Sequence, residues 1–172
     1  MVQIETRIAS VPLYRDLLEK FLGFYEPLQD AIETHDTWPR WGLDMHERRT
    51  SEWLKQDLQA LGATEGEVAE LPRCREIPDC RTLARAFGCA YVLEGSTLGG
   101  KHIAVMLDKS DIPAAAQRFF HGRGAEVLPM WKIFCQSLEK FGQTSSDADE
   151  VITSASTTFE SLEYWINKGA AS

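Results

Sequence analysis

The chain has 172 residues, of which 44% are hydrophobic and 26% are charged, and its formal net charge is −8 at pH 7. This length and composition indicate one folded domain rather than a disordered chain, and the negative charge argues against binding to nucleic-acid phosphates. No apolar run approaches the length of a membrane span, and the first residues lack the apolar segment of a signal peptide, so we expect a cytoplasmic protein.

Apolar residues recur at intervals of three and four along most of the chain, which predicts helices. The first helix begins at Pro12 and carries an apolar face through Leu28, and Pro27 is expected to bend or weaken it. The elements that follow are predicted as a loop over 35–44, a helix over 49–61 that stops at Gly62, a connector over 64–79 with one helical turn at 65–70, a helix over 82–107, a short helix over 113–120, a turn over 121–126, a helix over 127–141, a polar linker over 143–147 and a helix over 148–167. No alternating pattern typical of strands and no internal repeat is visible, so the predicted fold class is all-α, with residues 1–172 forming a single domain.

The four cysteines, Cys74, Cys80, Cys89 and Cys135, lack the spacing of a metal site. Cys89 and Cys135 fall within apolar helical patterns and are predicted to be small core residues. We therefore predict no metal site and no structural disulfide.

The helix predicted over 82–107 contains three glycines within six residues, Gly95, Gly99 and Gly100. Each interior glycine costs about 1 kcal/mol relative to alanine, so something must offset the cost. Gly95 and Gly99 are four residues apart and share a helix face, which leaves a strip without side chains where the helix is expected to bend. The strip either receives a flat ligand or allows two helices to pack closely.

The segment over 90–100, AYVLEGSTLGG, resembles the distal-helix motif of haem oxygenases, and is most similar to the bacterial branch associated with phytochromes. Segments over 14–29, 48–62, 119–124, 130–141 and 159–166 resemble other helices of that family in the same order. The resemblance implies an all-α fold that holds haem between two helices. It also implies oxidative opening of haem to biliverdin, iron and CO, with O2 and electrons from a donor such as ferredoxin or a flavoprotein reductase. A bacterial phytochrome is the implied acceptor of the biliverdin.

The resemblance assigns the haem-facing strip to Gly95, Ser96, Gly99 and Gly100. Ser96 stands where many relatives have Asp, so its hydroxyl or an ordered water would guide the bound oxygen. The residues expected to contact haem are Arg7, Tyr91, Lys101, Arg118, His121 and Arg123. The basic ones would pair with propionates, although each is equally well explained as a surface charge. Arg123 stands where relatives often have Tyr. Five aromatic residues are expected to be plain core rather than ligand wall: Phe119, Phe120, Trp131, Phe134 and Phe159.

The family's iron ligand is a histidine on the first helix, shortly before an acidic residue. If Glu5 is that acidic residue, the histidine position falls on Met1, and no histidine precedes His35. We therefore expect that the ligand helix is truncated or absent. None of the four histidines present is expected to ligate the iron. His35 and His46 are predicted to lie at the surface, His102 is predicted to face away from the haem, and His121 is predicted to lie near the propionates. Two functions stay open: a haem oxygenase whose activity in this chain is doubtful, or a non-catalytic haem-binding, bilin-binding or structural protein on the same scaffold.

Overall fold

The computed structural model describes residues 4–144 and 147–168, and their regular structure is entirely helical. The helices are α1 (Ile4–Arg7), α2 (Val11–Glu33), α3 (Ser51–Ala60), α4 (Glu65–Glu70), α5 (Leu83–Leu107), α6 (Arg118–His121), α7 (Val127–Thr144) and α8 (Ala148–Asn167). Short 3₁₀ segments cover Trp38–Trp41, Ala114–Ala116 and Gly124–Glu126. The all-α prediction is confirmed. Residues 145–146 of the predicted polar linker lie outside the described residues.

Helix α2 continues through Pro27 to Glu33 because another segment satisfies the backbone group that the proline leaves free. Pro27 has no N–H to donate to the carbonyl oxygen of Gly23, four residues earlier. The backbone N–H of Cys74 donates to that oxygen instead, at 2.8 Å. A Cβ at Gly23 would lie 2.6 Å from the carbonyl oxygen of Pro72, so the glycine allows the connector to reach α2.

Helix α3 begins two residues later than predicted, and the side chain of Gln29 contacts its start. The amide of Gln29 accepts from the backbone N–H of Ser51 at 3.2 Å and donates to the hydroxyl of Thr50 at 3.1 Å. By contrast, α4 has the predicted bounds, and a reciprocal capping box between Thr64 and Glu67 stabilises its start.

The segment predicted as one helix over 113–120 divides into a 3₁₀ turn and α6. The division falls at Gln117, whose side-chain amide donates to the carbonyl oxygens of Leu107 and Ile112. The next two backbone N–H groups, of Arg118 and Phe119, donate to a side chain on α3. These long-range partners replace the local carbonyls that a continuous helix would use.

Helix α5 lies at the centre of the fold and packs against α2, α6, α7 and, most extensively, α8. Its approach to α8 depends on Gly88, where a Cβ would overlap the carbonyl oxygen of Val151 and lie 2.7 Å from the Cβ of Ser154. The helix runs from Leu83 to Leu107 without interruption. The bend expected near Gly95 to Gly100 stays a prediction.

Two predictions of core residues are wrong. Cys135 is only partly buried, because the neighbouring Phe134 takes the inward face of α7, and Phe159 is 54% exposed on α8. Cys89 is fully buried, as predicted.

All four cysteines are free thiols. Among the described residues, no helix is both long and apolar enough to cross a membrane.

Candidate functional site

A cavity of about 230 Å³ lies beside the second half of α5. Its wall combines aromatic and aliphatic side chains with a small number of polar groups, which is typical of a small-molecule site. The lining residues are Phe21, Tyr25, Arg48, Thr50, Trp53, Glu94, Ser96, Thr97, Gly99, Gly100, Ile103, Phe119, Phe120, Gly122, Arg123, Val127, Met130 and Leu162.

The three glycines in the second half of α5 have different surroundings. A Cβ at Gly99 would meet no atom within 4 Å, so this residue opens onto free space. A Cβ at Gly100 would lie 3.2 Å from the carbonyl oxygen of Phe120, which indicates that Gly100 also makes room for α6. Gly95 faces the ring of Trp131 at 3.6 Å, an ordinary contact distance. Close helix packing therefore explains Gly100, whereas Gly99 borders open space beside the cavity.

The hydroxyls of Tyr25 and Ser96 meet in the cavity wall, with their oxygens 2.8 Å apart. The Ser96 hydroxyl donates to the carbonyl oxygen of Leu93 at 2.7 Å, so its single proton is already used. Tyr25 is therefore the donor to Ser96. Burial raises the pKa of Tyr25 to about 12, which keeps the phenol protonated at neutral pH.

A buried ion pair forms part of the wall. The Arg48 guanidinium donates to the Glu94 carboxylate at 2.5 Å and to the carbonyl oxygen of Met130 at 3.2 Å. The two side chains are 5% and 11% exposed, so both charges have left water. Burial raises the pKa of Glu94 above its usual value, while Arg48 opposes the shift. The pair joins the segment before α3, helix α5 and helix α7 around the cavity.

Two arginines stack on one tryptophan at the cavity rim. The guanidinium carbons of Arg118 and Arg123 lie 4.7 and 5.1 Å from the centre of the Trp53 ring. Arg123 also lines the cavity and donates to the carbonyl oxygen of Glu47. This arrangement places positive charge beside an apolar cavity, where it is suited to anionic substituents of a ligand.

Asp57 of α3 lies behind this rim and is fully buried. Its two carboxylate oxygens accept from the backbone N–H groups of Arg118 and Phe119, each at 2.8 Å. Burial raises the pKa of Asp57 to about 6, although the two amides and the nearby Arg118 and His121 oppose the shift. The carboxylate thus caps the first residues of α6 from another helix.

Of the residues predicted to contact haem, Arg123 lines the cavity and Arg118 stands at its rim, whereas the other four lie outside the lining. Arg7 pairs with Asp16, and Lys101 is exposed. Tyr91 packs against Trp131, with ring centres 5.4 Å apart. His121 lies 3.2 Å from the carboxylate of Asp108 and contacts Gln117. Of the strip residues, the cavity brings together Ser96, Gly99 and Gly100.

None of the chain's four histidines lines the cavity; all four fall among the described residues. His46 is exposed, as predicted, and His102 is also exposed. His35 differs from the prediction, because its ring nitrogen lies 2.6 Å from the carbonyl oxygen of Cys80 and anchors the connector. Met1, the position inferred for the family's ligand, lies outside the described residues.

Several residues of the cavity wall and of its support were not found from the sequence. Arg48 and Glu94 belong to the quoted segments, but their pairing joins positions 46 residues apart and no local pattern indicates it. Tyr25 and Asp57 also fall within those segments, in apolar helical patterns that indicated only a buried face. Phe119 and Phe120 were expected to be plain core, and they line the cavity.

The described helices form an all-α protein with a largely apolar cavity beside the glycines of α5. The family model described as "Heme oxygenase" matches residues 2–168. A protein named "Heme oxygenase" from Xanthomonas campestris pv. campestris (strain 8004) is 31% identical over 138 residues, which cover 80% of this chain and 76% of the relative. No solved structure matches the chain significantly. The chain belongs to the haem oxygenase family.

Proposed function

We propose that this chain binds haem as its substrate in the cavity beside Gly99 and serves its oxidative opening to biliverdin, iron and CO. The observation that carries the proposal is the free space over Gly99, enclosed by aromatic walls and bordered by Arg123. Family membership supports the same reaction, with O2 as co-substrate and electrons from a donor such as ferredoxin or a flavoprotein reductase.

The residues present suit haem. The missing side chain at Gly99 admits a flat ring close to the α5 backbone, and apolar burial stabilises such a ring without any iron bond. Arg118 and Arg123 supply guanidinium groups for the propionates. The cavity volume of about 230 Å³ lies just under the range of about 300–1,000 Å³ typical of ligand sites. We therefore expect aromatic side chains of the wall, Phe119 among them, to turn when the macrocycle enters.

Haem itself supplies the redox chemistry with O2, and the chain's own residues orient the ring and manage protons. The Tyr25 hydroxyl donates to Ser96, which donates to Leu93. If the Ser96 hydroxyl turns from the Leu93 carbonyl toward the ligand, Tyr25 still donates to the Ser96 oxygen. The pair can thus hold a proton or an ordered water at the Ser96 Oγ atom, at the position where many relatives have Asp.

The experiment is a haem titration of the wild type and Gly99→Leu, followed by visible absorbance. The leucine would occupy the space needed by the ring, so we expect at least a tenfold loss of affinity. Gly142→Leu is the matched control, because Gly142 also lies exposed on a long helix with no atom within 4 Å of its would-be Cβ. Equal affinity of the wild type and Gly99→Leu, or no saturable absorbance change with the wild type, would contradict haem binding in this cavity.

Catalysis is tested separately by adding a reductant and an electron donor to the haem complex and measuring biliverdin. Biliverdin formation that is lost in Gly99→Leu supports the oxygenase. Saturable binding without biliverdin favours the non-catalytic haem-binding or bilin-binding alternative. Titration with biliverdin in place of haem then shows which ligand the cavity prefers.

A further inference from the structure

We propose that Asp57, which lies outside the cavity lining, is a positioning residue that holds α6 so that its residues form the wall of the ligand site. The inference rests on the proposed function, because the wall matters only if the cavity binds a ligand. It assigns a role in ligand binding to a buried carboxylate that does not touch the ligand site directly.

The geometry joins Asp57 to the cavity in two steps. The carboxylate accepts from the backbone N–H groups of Arg118 and Phe119 at 2.8 Å. The Phe119 ring packs against the rings of Phe21 and Tyr25, with both pairs of ring centres 5.5 Å apart. Tyr25 in turn donates to Ser96. The position of α6 is thereby transmitted to the hydroxyl pair of Tyr25 on α2 and Ser96 on α5.

Helix α6 has only four residues, so it depends on such external contacts for its position. It follows Gln117, whose backbone is not helical, and ends at Gly122, whose φ is 55°. Trp53, one turn before Asp57 on α3, meets the Arg118 side chain. The carboxylate fixes the α6 backbone, whereas the Phe119 side chain stays able to turn about its own bonds when a ligand enters.

The proposal predicts that protonation of Asp57 has opposite effects on ligand binding and on the stability of the whole fold. The ionised carboxylate accepts both amides, whereas the neutral acid offers one acceptor oxygen and one O–H donor. Protonation therefore loosens one amide of α6 even though burial favours the neutral acid. The charged or titratable groups near Asp57 are Tyr14 on α2 and Arg118 and His121 on α6. His121 is the one histidine among these groups, so a His121 variant is the control for the pH dependence.

The first measurement is site-resolved amide hydrogen exchange in the protein without haem, corrected for intrinsic rates. In Asp57→Asn we expect at least tenfold faster exchange at Arg118 and Phe119 and unchanged exchange in α8. Asp79→Asn is the matched control, because Asp79 also accepts a backbone N–H, from Arg81, but lies in the loop before α5 away from the cavity. Unchanged exchange at Arg118 and Phe119 in Asp57→Asn would overturn the inference.

The second measurement is haem affinity from pH 5 to 8, together with the free energy of unfolding. For the wild type we expect haem affinity to fall at least threefold below pH 6, while the contribution of Asp57 to the free energy of unfolding rises. In Asp57→Asn we expect weak haem affinity that does not change with pH. In His121→Gln we expect the same loss of affinity below pH 6 as in the wild type. A purely structural role would make affinity follow stability, and this result would overturn the inference. If the wild type binds no haem at any pH, the proposed function fails as well, whereas normal affinity in Asp57→Asn refutes the positioning role alone.

Discussion

Gly99 and Gly100 are neighbours on α5, yet the space around their α-carbons differs. A Cβ at Gly99 would meet no atom within 4 Å, whereas one at Gly100 would lie 3.2 Å from the carbonyl oxygen of Phe120. Successive residues of an α-helix point about 100° apart, so Gly99 faces open space and Gly100 faces α6, although both line the cavity. Gly99 therefore leaves space beside the cavity, and Gly100 allows close packing of α6.

This difference predicts opposite tolerance to a large side chain. We expect Gly100→Leu to lower the free energy of unfolding by about 1–3 kcal/mol, because a buried, tightly packed position cannot accept the added atoms. Gly99→Leu should change it by less than about 1 kcal/mol, since its side chain enters open space. Urea denaturation of both variants measures the difference. A Gly99→Leu variant as unstable as Gly100→Leu would mean that close packing explains both glycines.

Gly88 tests the contact between α5 and α8. Gly88→Ala should destabilise the protein by about 1–3 kcal/mol, because the methyl group would overlap the carbonyl oxygen of Val151 and the Cβ of Ser154. Gly142→Ala is the control, since Gly142 is helical with open space around it, and we expect a gain of about 0.5–1 kcal/mol. Thermal unfolding of the pair gives the comparison, and stabilisation by both alanines would refute the tight contact.

The Arg48–Glu94 pair should show strong coupling. Arg48→Met or Glu94→Leu alone leaves an unpaired buried charge, which typically costs about 3–5 kcal/mol. The double variant should cost clearly less than the sum of the single variants, because no charge then remains unpaired. A double-mutant cycle from urea unfolding measures the coupling. Additive single-variant effects would show that the two side chains do not depend on each other.

Asp57 predicts a specific pH dependence of stability. Its folded-state pKa of about 6 lies above its ordinary pKa of 3.8, so the folded chain holds the proton to higher pH than the unfolded chain. The contribution of Asp57 to stability is therefore fully present below pH 4 and is lost as pH rises to about 6, by up to about 3 kcal/mol.

The measurement is the difference in unfolding free energy between the wild type and Asp57→Asn from pH 3.5 to 8. We expect the difference to fall between pH 4 and 6 and to stay constant above pH 7. Working with the difference removes the contributions of other groups that titrate in the same range. A difference that rises over this interval would indicate that the two amide contacts outweigh burial.

Haem ligation by this chain should be atypical. No histidine lines the cavity, and an axial imidazole is what positions the iron and tunes it for O2. We expect a haem spectrum unlike that of a histidine-ligated complex and biliverdin formation that is slow until imidazole is added. Added imidazole should then shift the spectrum toward the histidine-ligated form.

The histidine variants are the controls for this prediction. Steady biliverdin formation and a normal histidine-ligated spectrum, both lost in His121→Ala, would contradict it and identify His121 as a substitute ligand. Loss in His35→Ala instead would point to rearrangement of the connector near Cys80.

The local sequence was sufficient to predict most helices and the segment on which the cavity is built. Thr64 and Glu67 define the start of α4, and the periodic apolar residues of α8 predict its bounds, because both depend on neighbours within one or two turns. The glycine motif likewise indicated that α5 carries a strip without side chains.

Contacts between distant segments decided the rest. The Gln117 side chain marks the end of the 3₁₀ turn, and the Asp57 carboxylate caps the start of α6. Only the folded chain brings that carboxylate to α6. The same holds for the roles of Gly88 and Gly99, since a glycine's identity does not reveal whether a neighbouring backbone or open space lies above it. Sequence periodicity determines which face of a helix is apolar, whereas tertiary packing determines whether that face meets another helix or borders a cavity.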